Sequence, residues 1–207
     1  MAYIIQIIVQ PFFRLAYNIA YRLEIRGQEN TKDLQKPLLV ISNHRSVNDP
    51  WIIGSSLPMF SHLMPGHYIG GTRFDQPLKF FYDIGVISFI YWIFGSAEIP
   101  RDGTMEEKIQ PIINFIKKGG MVILFPEGGR SRGPGGIGIG PFKHGAAEIF
   151  VRTGAPILPA AIVPSTKKKG KLIIVFGKAI TPQTQNVEEI TVLLHSTVEN
   201  LYNSVVG

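Results

Sequence analysis

The spacing of apolar positions changes several times along this chain, and each change marks an element. Residues 1–21 are rich in Ile, Phe and Tyr, interrupted by Gln6, Gln10, Pro11 and Arg14. A bilayer-spanning helix needs about 20 mostly apolar residues, so residues 1–22 are expected to form one or two helices lying in or on a membrane interface. The alternative is an N-terminal helix packed on the core. No basic stretch precedes the apolar part and no small-residue cleavage pattern follows, so a signal peptide is not expected. Leu23-Glu24-Ile25-Arg26-Gly27 alternates apolar with charged and stops at glycine, the pattern of an edge strand. Pro37-Leu38-Leu39-Val40-Ile41 does not alternate and predicts a strand buried on both faces.

Pro50 suits the first turn of a helix, with Asn48 or Asp49 as its cap. Residues 62–68 read as a further strand running out at Gly70-Gly71. Residues 76–95 are aromatic and too short to span a bilayer; they would wall an acyl-chain tunnel, dip into lipid, or form a plain core helix pair. Residues 97–101 predict a short strand. Thr104-x-x-Glu107 is a capping box, and Ile109, Ile112, Ile113 and Ile116 form one stripe that a Lys-Lys-Gly-Gly stop closes. Pro111 is expected to kink that helix or restart it. Strands follow at 121–125, 157–163 and 171–176, with a helix from Gly145 to about Arg152. Asn186-x-x-Glu189 caps a last helix carrying Ile190, Leu193, Leu194, Leu201, Tyr202 and Val205. Lys167-Lys168-Lys169 reads as a solvated turn. Strands and helices alternate without a linker or repeat. The expected fold is therefore one α/β domain over 23–207, a largely parallel or mixed central sheet flanked by helices, with an N-terminal interfacial segment over 1–22.

Composition narrows the function. At 207 residues the chain buries a core without staples, and the absence of cysteine removes disulfides, thiolate nucleophiles and thiolate metal sites. A net charge of +6 with 45% hydrophobic residues favours an anionic membrane or phosphorylated substrates over nucleic acid.

The chemistry-bearing residues sit where strands end. His44 follows the buried strand and Asp49 lies five positions on, across a strand-to-helix turn. An imidazole held by a carboxylate keeps one tautomer and can take a hydroxyl proton near neutral pH. Backbone N–H groups of the His44 turn are the candidates for stabilising an oxyanion. Arg101 and Arg130 each follow a predicted strand, beside Gly128, with Arg132 and Lys143 nearby. Guanidiniums beside glycine amides make a phosphate site. Glu127 would either lock an arginine by ion pairing or hold a substrate hydroxyl. Gly129-Arg130-Ser131-Arg132-Gly133 matches a hydrolase elbow, but the Pro-Gly-rich continuation cannot start the helix that motif needs. The glycine run 133–138 matches a dinucleotide fingerprint without its strand-to-helix context. No metal-ligand cluster stands out.

Taken in order, Asn43-His44-Arg45-Ser46-Val47-Asn48-Asp49-Pro50, Ile99-Pro100-Arg101, Phe125-Pro126-Glu127-Gly128-Gly129-Arg130-Ser131 and the Leu158-Pro159 strand resemble the four blocks of the glycerolipid acyltransferases typified by 1-acyl-glycerol-3-phosphate (lysophosphatidate) acyltransferase. Pro141-Phe142-Lys143-His144-Gly145 is similar to the segment that follows the third block. The resemblance implies that His44 and Asp49 are catalytic and that Arg101, Glu127, Gly128 and Arg130 bind the acceptor's phosphate end. It also implies an acyl-CoA or acyl-carrier protein donor substrate, no cofactor or metal, and phospholipid synthesis at the cytoplasmic face of a membrane with anionic lipids, held peripherally or monotopically. Gly129 departs from the Thr or Ser usual there, which leaves a different acceptor lipid open. A non-catalytic membrane lipid-binding module is the reading from another class.

Overall fold

The computed structural model describes residues 2–71, 78–99, 102–130, 138–164 and 170–206. Its centre is a seven-stranded sheet in the order β1-β7-β6-β2-β5-β3-β4. The strands are β1 (Leu23–Arg26), β2 (Leu38–Ser42), β3 (Gly66–Gly71), β4 (Ala97–Ile99), β5 (Met121–Leu124), β6 (Ile157–Pro164) and β7 (Leu172–Phe176). Every neighbouring pair is parallel except β6 with β7, so the sheet is mixed, and β1 pairs with β7 at the outer edge. All five residues of β2 are buried, as a strand covered on both faces requires. Side chains alternate across it. Leu39 and Ile41 join a cluster with α5 (Met105–Lys117), α6 (Gly145–Thr153) and α7 (Val187–Val206), while Leu38 and Val40 face α2 (Asp49–Ser56).

The capping box of α5 is present in full, Thr104 Oγ1 accepting from Glu107 N and the Glu107 carboxylate from Thr104 N. The helix continues through Pro111 without a restart, because its four isoleucines are anchored in the core on both sides of the proline. Asn186 Oδ1 accepts from Glu189 N at the start of α7, and Leu193 is the one residue of that predicted stripe left exposed. β3 begins at Gly66, later than the pattern suggested; His62 instead turns to the Leu34 carbonyl.

Two helical segments depart from ordinary core packing. α1 (Ala2–Tyr21) is one continuous helix, and its buried residues are Gln6, Gln10 and Tyr17. Gln6 donates to the Gly66 and Phe94 carbonyls and accepts from Gly66 N; Gln10 donates to carbonyls at residues 54, 57 and 58. The apolar stripe Ile4, Ile8, Phe12, Leu15 and Ile19 is left pointing outward. α3 (Leu78–Asp83) and α4 (Val86–Phe94) do the same: α4 has no buried residue, and Phe80, Phe81, Ile84, Phe89 and Trp92 are exposed. The plain core-pair expectation for 76–95 is therefore overturned, since these side chains find no core to enter. α4 packs beside α1. No described helix is long and apolar enough to cross a membrane.

Candidate active site

Parallel pairing brings the C-terminal ends of β2, β5, β3 and β4 to one edge of the sheet, where loops open into a crevice. The main chain leaves β2 at Asn43. There the side-chain amide continues the ladder: Nδ2 donates to the Ile162 carbonyl at 3.0 Å and Oδ1 accepts from Ile162 N at 2.8 Å, one step beyond the Ser42–Ala160 pair. Asn43 thus releases the backbone while keeping it pinned to β6. Sequence reasoning did not single it out, although an amide immediately after a fully buried strand was the available signal. Asn43→Ala orphans two buried backbone groups and is expected to destabilise the fold by about 2 kcal/mol. An unchanged thermal or urea midpoint would show that Ile162 finds other partners.

His44, next in sequence, has its imidazole half-buried and stacked on Phe125 with centroids 4.4 Å apart. Its Nδ1 lies 2.8 Å from Asp49 Oδ2. Asp49 is buried, and the same oxygen accepts from the N–H groups of Arg45 and Ser46. A carboxylate oxygen already receiving two N–H donors meets a third most favourably as Nδ1–H, which leaves the lone pair on Nε2. His44 lines a cavity of about 520 Å³, so that lone pair belongs to a ring at the cavity wall.

The amides of His44, Arg45 and Ser46 are spoken for. His44 N–H goes to Glu127 Oε1 at 3.2 Å, and those of Arg45 and Ser46 go to Asp49. This corrects the expectation that they hold an oxyanion: two carboxylates hold them instead, and in doing so fix the turn. The capping expectation is corrected too, since Asp49 bonds back to the preceding turn and Asn48 makes no side-chain cap to α2. Arg45 turns away from the pair, toward the Gly138 carbonyl at 3.3 Å and the Tyr202 hydroxyl at 3.5 Å.

The Glu-Gly loop after β5 supplies the facing wall. Glu127 is buried and ties this loop to the His44 turn. Gly128 has φ +70°, and a Cβ on it would lie 2.9 Å from Lys143 Nζ, so both its conformation and the closeness of the lysine require glycine. The backbone N–H of Lys143 donates to the Pro126 carbonyl at 2.8 Å, which holds the ammonium stem against the loop. Gly128, Gly129 and Lys143 line the cavity. Arg130 is exposed at the end of the loop and is not among the described lining residues. Arg101, Ser131 and Arg132, together with the lysine run 167–169, lie outside the described residues. The lining also includes Lys108 and Asp102, which sequence reasoning did not single out. Deeper in, the walls are Ile69, Ile99, Ile109, Ile112, Leu124 and Ile149. The cavity therefore has a basic rim and an apolar interior, and none of its described lining comes from α3 or α4. Among the described residues, no group of acidic and histidine side chains is placed to hold a metal ion.

A family model described as Acyltransferase matches residues 22–163, which includes His44, Asp49 and the Glu-Gly loop. The chain belongs to the acyltransferase family. Acyltransferases of this family that it resembles include the chloroplastic 1-acyl-sn-glycerol-3-phosphate acyltransferase BAT2 of Brassica napus, 26% identical over 185 residues that make up 86% of this chain and 45% of the relative. The 1-acyl-sn-glycerol-3-phosphate acyltransferase of Escherichia coli K12 is 35% identical over 82 residues, 38% of this chain and 32% of that one. The chain thus spans less than half the length of these two relatives. Among solved structures, the 1-acyl-sn-glycerophosphate acyltransferase PlsC of Thermotoga maritima superposes with a TM-score of 0.70 over 95% of this chain and 78% of that one, at 20% identity. That likeness is one of fold, and it covers an α/β domain with a helical N-terminus.

Proposed function

We propose that this chain transfers a fatty acyl group from an acyl thioester to the free hydroxyl of a lysophospholipid, with 1-acyl-glycerol-3-phosphate as acceptor and phosphatidate as product. The observation that carries the proposal is His44 at the cavity wall with Asp49 on its Nδ1, which leaves Nε2 as a base for a hydroxyl. In the reaction the acceptor O–H proton passes to Nε2 while its oxygen bonds to the thioester carbonyl carbon. Collapse of the tetrahedral species breaks the C–S bond, and the imidazolium returns the proton to the departing thiolate. Asp49 stabilises the imidazolium between the two steps, and no covalent enzyme intermediate is needed. The names of the relatives support the acceptor class.

The basic rim matches a phosphate and the apolar interior an acyl chain, within the volume range usual for ligand sites. Lys143 is assigned with Gly128, Arg101 and Arg130 to the acceptor's phosphate end, and Glu127 to holding the loop and the His44 turn together. Lys143→Ala is expected to raise the acceptor KM about tenfold, the worth of a charge-assisted contact; an unchanged KM would move the phosphate elsewhere. The outward apolar stripes of α1, α3 and α4, with a net charge of +6, support peripheral or monotopic attachment to an anionic membrane surface, on the cytoplasmic side where acyl-CoA and acyl-carrier protein occur.

The test is mass spectrometry of products after the purified protein meets a panel of lysolipids with acyl-CoA or acyl-carrier protein. Phosphatidate from 1-acyl-glycerol-3-phosphate is the expected result. A different acylated lipid would follow if Gly129 has changed the acceptor. Vesicle binding without any acylated product would make the chain a lipid-binding module.

A further inference from the structure

The inner face of α1 carries Gln10, Phe13 and Tyr17 in helical register, and all three meet α2 or its first turn. Gln10 is 3% exposed, and its Nε2 donates to the carbonyls of Gly54 and Leu57 at 3.2 Å and of Pro58 at 3.4 Å. The first two carbonyls lie at the C-terminal end of α2, and that of Pro58 just beyond it. The last carbonyls of a helix have no partner within it, and Leu57 turns into extended backbone at ψ 160°, so no left-handed closure supplies one. A side chain from another helix, 44 residues or more away in sequence, does so instead. Phe13 stacks on Trp51, two residues past Asp49, with centroids 5.4 Å apart. Tyr17 is buried close enough to Asp49 to feel its charge. Burial first, then Tyr21 and Asp49, push its phenol up to about 12.

Asp49 itself is bonded from one side only. Its Oδ2 takes three donors, while its buried Oδ1 has no hydrogen-bond partner among the described residues. The carboxylate's position is therefore set by the turn on one side and by the seating of α2 on the other. Gln6 provides a comparison within the same helix. Its amide is just as buried, but its hydrogen bonds go to Gly66 and Phe94 and none goes to α2 or to the pair.

We propose that Gln10 is a positioning residue for the His44–Asp49 pair, capping α2 from α1 so that the helix bearing Asp49 is seated where its carboxylate meets His44. The inference rests on the acyl-transfer reading. It assigns α1 a part in turnover that is separate from any part in attachment: its outer face meets lipid, and its inner face holds the helix on which the base's partner stands.

The experiment compares the wild-type chain with Gln10→Met and Gln6→Met, each at saturating acyl-CoA and 1-acyl-glycerol-3-phosphate in mixed micelles. Each variant removes a buried donor from the same helix. Gln10→Met is expected to lower kcat about tenfold, because a small displacement of a catalytic partner costs rate directly. Both KM values and vesicle binding should stay within about twofold of wild type, since substrate contacts are untouched. Gln6→Met should leave kcat within about twofold. A wild-type kcat for Gln10→Met overturns the proposal, and so does an equal loss in both variants, which would reduce the effect to attachment of α1. Should Gln10→Met fail to melt cooperatively, Phe13→Leu carries the test, because it loosens the stack on Trp51 without orphaning carbonyls. A lowered kcat at unchanged KM supports the assignment, and an unchanged kcat overturns it. A wild-type protein that turns over no acyl thioester removes the acyl-transfer reading and this inference with it, an outcome separable from any variant's behaviour.

Discussion

His44→Ala is expected to lower acyl transfer about 10²–10⁴-fold in folded protein, the usual contribution of a positioned proton-transfer group. The fold should survive, because the imidazole is partly solvent-facing and its neighbours are bonded to other partners: Asp49 keeps the N–H groups of Arg45 and Ser46, and Glu127 keeps the His44 backbone. The loss should therefore appear in kcat while binding of both substrates persists. Asp49→Asn tests the other half. The amide oxygen can take the place of Oδ2 but without its charge, and the NH2 group falls where the buried Oδ1 has no partner, so the change costs about 1–3 kcal/mol of stability in addition to activity. Product formation by His44→Ala at the wild-type rate would place the base elsewhere in the cavity.

The second large effect concerns the outer faces of the N-terminal helices. Ile8 and Phe12 are 56% and 68% exposed, so replacing both with glutamate should leave the core intact. On a lipid surface each apolar side chain contributes about 1.5–3 kcal/mol when fully buried, and two carboxylates add repulsion from anionic headgroups. Binding to anionic vesicles in a flotation or sedimentation assay is expected to fall about 100-fold or more, with an unchanged melting temperature. The same double variant bound as tightly as wild type would show that α1's outer stripe does not meet lipid.

Much of this arrangement was legible from sequence where the information is local. β2 announced itself by an uninterrupted apolar run, α5 by its capping box and isoleucine stripe, and the His44–Asp49 approach by five residues spanning a strand-to-helix turn. What failed depended on groups distant in sequence. Gln6 and Gln10 read as polar breaks in an apolar helix, and nothing nearby shows which way they face. Their partners are the start of β3 and the end of α2, so burial of the amides follows from carbonyls left open elsewhere. The same holds for the backbone amide of His44. Its use by Glu127, 83 residues away, depends on β2 and β5 being neighbours in the sheet. For residues 76–95, aromatic content marked a contact surface without distinguishing core from exterior, because both select bulky apolar side chains.

The pairing of β1 with β7 has a consequence for how this protein is made. Leu23 to Arg26 lie against Leu172 to Val175, so the strand that follows α1 has no partner in the sheet until β7 has been made. β2 and β5 can pair earlier, whereas this outer edge closes only once β7 arrives. Until then the apolar outer stripe of α1 is tethered to an unfinished edge. A nascent chain already resting on a membrane would be sheltered from self-association during that interval, and one released into water would meet its greatest hazard while that edge is open.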